Sequence, residues 1–88
     1  MVFLGGHLRD FRQKHFMTAQ EFADAVGITK GYLDKLESES IKTRKAMGAE
    51  LLVSICHIYN DFTLYTIWKR LSDIYMEELK NDAIKKIS

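Results

Sequence analysis

The three histidines and the single cysteine have the widest chemical repertoire in this chain, and their spacing brings none of it together. His7, His15 and His57 lack metal-ligand spacing. His57 lies in the apolar run LLVSICHIY, where it reads as a hydrogen-bonded residue at the edge of a core. Cys56 shares that run and reads as a small core residue, and a lone cysteine excludes an intrachain disulfide. No nucleophile with a neighbouring base and no phosphate-cradling glycine loop occurs, so neither catalysis nor a cofactor nor a metal is expected. That leaves charge. Lys42, Arg44 and Lys45 crowd the segment ESIKTRKAMGA, and such a cluster is either a phosphate contact or a solvated surface.

The elements that must position these groups are helices. Hydrophobic content is 47% with no proline, and no segment of convincing length alternates with a strand period, so the chain is expected to be all-α. Its 88 residues suit a single domain with a helical core and leave no room for a separate cofactor domain. The first helix is expected over about Gly6 to His15, with Leu8 and Phe11 inward and Arg9, Arg12 and Lys14 outward. Thr18 and Glu21 form a capping box for a second helix, with Met17 and Phe22 as its hydrophobic staple. Thr29 caps a third, with Ile28 and Leu33 as the staple pair. Between them Ala23 is small enough for a close helix crossing, and Gly27 suits a left-handed exit from the second helix. Phe22, Val26, Ile28, Leu33 and Leu36 supply the inward face. A fourth helix over Ala49 to Tyr59 is apolar on most sides and reads as the buried central one. Asn60-Asp61 breaks it, with Asp61 or Thr63 as the next cap.

From about Gly6 to Trp68 the chain resembles the phage-repressor or Cro-type helix-turn-helix family, also called Xre-like or lambda-repressor-like. The resemblance is carried by LRDFRQKH, MTAQEFADAVG, ITKGYLDKLES with Leu36-Glu37 at its end, then ELLVSICHIYN and FTLYTIW. It implies five helices and sequence-specific binding to a double-stranded DNA operator. On that resemblance Thr29, Lys30, Gly31 and Lys35 stand where base and phosphate contacts lie, with Tyr32 and Asp34 beside them. Thr18 and Gln20 stand at the phosphate-contacting start of the second helix, where Ala19 replaces the family's frequent glutamine. Asp34 either accepts from cytosine or pairs with Lys30 four residues earlier. Lys42, Arg44 and Lys45 would follow the recognition helix, where such proteins meet the DNA backbone.

Net charge lends little support. The formal value is +1, and residues 1 to 45 carry eight Lys or Arg against six Asp or Glu, so a DNA interface must come from local placement. Residues 1 to 62 are expected to form the DNA-binding core, and residues 63 to 88 a helix that completes it. In that helix Leu64, Ile67, Trp68, Leu71, Ile74, Tyr75, Leu79, Ala83 and Ile87 recur at three- and four-residue steps. Trp68, Leu71, Tyr75 and Leu79 are the expected dimerisation residues, since a stripe this long exceeds what a small core covers. With neither a signal peptide nor an apolar run of membrane-spanning length, a cytoplasmic protein without a membrane partner is expected. The sequence thus points to a small dimeric repressor; the competing class is a helix-turn-helix that binds protein, such as an antirepressor or inhibitor.

Overall fold

A computed structural model describes residues 2 to 87, with side chains through residue 83. It is all-α. Among the described residues five helices occur and no strand: α1 (Gly5–Lys14), α2 (Ala19–Val26), α3 (Lys30–Glu37), α4 (Ala49–Tyr59) and α5 (Thr63–Ile87). None is long and apolar enough to cross a membrane.

Local chemistry sets most of the ends. The Thr18 hydroxyl accepts from the Glu21 N–H at 3.2 Å while the Glu21 carboxylate accepts from the Thr18 N–H at 3.1 Å, closing the capping box. That hydrogen bond from the Thr18 N–H is the main reason the Glu21 pKa falls below its ordinary value. Thr29 caps α3 through the Tyr32 N–H at 3.1 Å. Asn60, left-handed at φ 48°, ends α4, and the Asp61 carboxylate then takes the Thr63 N–H at 3.0 Å to start α5. Helix α1 begins at Gly5, one residue before the expected start, because the chain there lies against α3: a Cβ on Gly5 would meet the carbonyl oxygens of Leu36, Glu37 and Ser38 at 3.1–3.2 Å. It ends at Lys14, followed by Phe16 at φ 57° and 94% exposed. Nothing in the structure explains why an aromatic residue holds that left-handed position.

One core joins all five helices. Leu8 and Phe11 of α1, Phe22 and Ala23 of α2, Leu33 and Leu36 of α3, and Leu52, Ile55 and Cys56 of α4 are buried, together with Leu4, Met47 and Leu64. The Phe22 and Tyr59 rings stack at 5.6 Å, and Phe11 meets both edge-on. Burial also raises the Cys56 thiol pKa, in keeping with a packing role.

Two expectations about helix faces are corrected. Helix α4 is not central: it buries a single face and leaves Val53 and Ile58 in water, because α2 and α5 cover it from one side. Arg12 does not point outward either, for a reason given below. Helix α5 divides along its length. Its first turns pack on α4 and α1 through Leu64, Ile67, Trp68 and Leu71, whereas Ile74, Tyr75 and Leu79 are exposed. Of the proposed dimerisation residues, Trp68 and Leu71 therefore pack on the chain's own core, while Tyr75 and Leu79 stand clear of it. At ~1.5 Å per residue a helix of this length spans roughly 37 Å, and the molecule is drawn out to 51 × 29 × 19 Å. The Ile87 side chain lies outside the described residues.

Candidate nucleic-acid interface

Helices α2 and α3 meet across Ala23, which is fully buried. Gly27 leaves α2 at φ 78°, ψ 30°, with its N–H and that of Ile28 both donating to the Ala23 carbonyl. Apart from its own chain neighbours, no atom of the described residues lies within 4 Å of where a Gly27 Cβ would sit, so the backbone angle alone selects glycine here. The turn presents the start of α3 to solvent: Thr29, Lys30 and Gly31 are exposed, as are Asp34 and Lys35 one turn on. Gly31 likewise has open space around its missing Cβ.

The far end of α3 is anchored to α1. Arg12 donates from Nε and Nη2 to the two carboxylate oxygens of Glu37, each at 3.0 Å, and from Nη1 to the Met17 carbonyl at 3.1 Å. Arg9 adds a hydrogen bond to the Glu37 carbonyl at 2.9 Å and an ion pair with Glu39 at 3.4 Å. Glu37 is 6% exposed. Its hydrogen bonds raise the Arg12 pKa against the opposing effect of burial. One bidentate guanidinium thus fixes both the C-terminus of α3 and the approach to α2. The sequence carried a signal for this pair: Arg12 lies four residues after Leu8 and Glu37 four after Leu33, so both share the core-facing side of their helices.

A second anchor surrounds Asp61. Its carboxylate accepts from Lys14 Nζ at 2.8 Å, bonds His15 Nε2 at 3.0 Å and holds the Thr63 N–H and hydroxyl. The Lys14 contact first, then those to Thr63, hold the Asp61 pKa well below the usual carboxylate range. His15 also lies against the Phe11 and Tyr59 rings. Among the described residues none hydrogen-bonds the His57 ring, which does not sit at a core edge as expected. It is exposed and meets the Phe62 ring edge-on at 5.3 Å, because α4 turns that face to solvent.

The candidate contact residues are only partly free. Lys30 pairs with Asp34 at 3.2 Å on the exposed face of α3, and Gln20 donates to Asp24 at 2.9 Å on α2. The Thr18 hydroxyl serves the capping box. The loop cations do not form one cluster. Arg44 lies over the Phe3 ring at 4.1 Å and Lys45 over the half-buried Tyr32 ring at 4.6 Å, while Lys42 is exposed. The loop itself is folded: Arg44 N–H donates to the Ser40 carbonyl at 2.8 Å, Ser40 N–H donates to the Ser38 hydroxyl, and that hydroxyl hydrogen-bonds Thr43. Lys45 is thereby tied to α3 and Arg44 to the N-terminal segment. Among the described residues no three His, Cys, Asp or Glu side chains come together as a metal site.

Comparison with known proteins adds one similarity. Over 76 residues the chain is 26% identical to a segment of the E3 ubiquitin-protein ligase listerin of Schizosaccharomyces pombe, a match covering 86% of this chain. The chain spans about 4% of the length of that protein. No family model matches the chain, and no solved structure matches it.

Proposed function

We propose that the protein is a sequence-specific DNA-binding regulator built on a lambda-repressor-like helix-turn-helix, acting in the cytoplasm as a small dimeric repressor without catalytic chemistry. One observation carries the reading: α3 is anchored at its C-terminus by the Arg12–Glu37 pair, while its first turn, with Lys30 and the open side of Gly31, stands in solvent. The N-terminal residues of a recognition helix are those that reach base edges in the major groove. In this role Lys30 exchanges Asp34 for guanine O6 and N7, while Lys35 and the loop lysines Lys42 and Lys45 contact phosphates. Repression follows from occlusion of an operator whose two half-sites lie about one helical turn apart.

Selection from a random DNA library at graded salt, followed by binding isotherms, tests this. A consensus should emerge, and Lys30→Ala should lose about 1–3 kcal/mol on it and relax one base position. Lys35→Ala should weaken all sequences alike and flatten the salt slope. No retention of DNA at low salt overturns the reading. That result would favour a helix-turn-helix that binds protein, for which the Lys30–Asp34 and Gln20–Asp24 pairs and the net charge of +1 argue, since they leave the exposed face nearly neutral.

A further inference from the structure

We infer that two copies of the chain pair about a two-fold axis through the distal half of α5 and the groove at its root, with Arg44 of each copy facing Glu78 of the other. The groove, of about 260 Å³, runs between the N-terminal segment, the α3–α4 loop and α5. Val2, Phe3, Leu71, Ile74 and Tyr75 give it an apolar lining, and Arg44 and Glu78 give it one charge of each sign.

Three features of this patch select a second copy as its occupant. The apolar stripe runs on past the core: Ile74, Tyr75 and Leu79 are 39–51% exposed along one side of the helix, more than scattered surface residues require. The cation is held in place, because the Arg44 guanidinium rests on the Phe3 ring and its loop is internally hydrogen-bonded. Finally, neither Arg44 nor Glu78 takes part in an ion pair among the described residues, although both line the same groove. A patch with an apolar centre and both members of an unmade ion pair is complementary to itself. A two-fold rotation brings each charge onto its opposite and makes the pair twice. The interface deepens the regulator reading, since two recognition helices in one particle bind paired half-sites far better than one. Its own chemistry does not involve DNA.

The test is therefore made without DNA, by sedimentation equilibrium on the full chain, with helix content followed by circular dichroism. The parent should dimerise. Arg44→Glu places two acids together at both symmetry-related contacts and Glu78→Arg places two cations together, so each variant should weaken its own dimer about tenfold or more. Mixing the two restores both contacts, because Glu at 44 then faces Arg at 78 on one side and native Arg44 faces native Glu78 on the other. The mixture should form a heterodimer at concentrations where each variant alone is monomeric, and this also shows that both variants are folded. A monomeric parent, variants that dimerise like the parent, or a mixture that stays monomeric would each overturn the proposal. None of these outcomes bears on whether a single copy selects a DNA sequence.

Discussion

Arg12 and Glu37 hold a charge pair where the core would otherwise be apolar, and the geometry explains why the pair is tolerated: both carboxylate oxygens are satisfied, and the third guanidinium contact is a carbonyl. Removing one member is costly in a way that removing both is not. Glu37→Ala leaves an uncompensated cation at 15% exposure and should cost about 3 kcal/mol, against a total of roughly 4–13 kcal/mol for a domain of this length. Arg12→Met combined with Glu37→Leu should lose much less than Glu37→Ala alone, because no charge is left buried. Urea denaturation of the two variants checks the order. If the double variant were the less stable, the pair would be a net source of stability in its own right.

At the scale of the element, α3 combines a residue that weakens it with one that anchors it. Gly31 has an ordinary helical backbone and empty space where a side chain would sit, so neither turn geometry nor close packing within the chain calls for glycine there. Gly31→Ala should raise stability by about 0.5–1 kcal/mol. If the open side of Gly31 is where a base or sugar comes close, the same change should weaken DNA binding. Chemical denaturation and binding isotherms on one variant would show the two effects with opposite sign; affinity unchanged beside a higher midpoint would remove Gly31 from the interface. The local parts of this fold were legible in the sequence for a physical reason. The Thr18–Glu21 box, the Thr29 cap, the Gly27 turn and the bounds of α4 each depend on residues within a few positions of one another. What was not legible depends on partners far along the chain. How many faces of α4 are covered is decided by α2 and α5, and the loop cations could be counted but not distributed, because Phe3 and Tyr32 lie in other elements. For the candidate site, the identity and exposure of Lys30, Gly31 and Lys35 could be read from the α3 pattern, whereas the Arg12–Glu37 anchor had a signal in its i+4 spacing to Leu8 and Leu33 that charge alone concealed.

For the whole molecule, Asp61 links the end of α1 to the junction of α4 and α5, and so ties the projecting helix to α1. This link makes stability depend on pH, with a definite sign. In the unfolded chain an aspartate titrates near ~3.9. In the folded chain Lys14, Thr63 and His15 hold the Asp61 pKa below that, so between the two values the unfolded state binds more protons. Its contribution is therefore fully present above about pH 4 and lost as the pH falls through and below that value. Asp61→Asn removes the titration but keeps the shape. At neutral pH the variant should be less stable than the parent, and the gap should narrow as the pH drops from about 5 toward 2, because acid removes from the parent what the substitution has already removed. Glu21, whose pKa is also lowered, is present in both proteins and cancels from the difference, so the narrowing isolates Asp61. Urea midpoints of the two proteins across that range measure it. A gap that stayed constant with pH would mean that the Asp61 charge contributes nothing to holding α1 against α5, and that its neighbours pack there for reasons of shape alone.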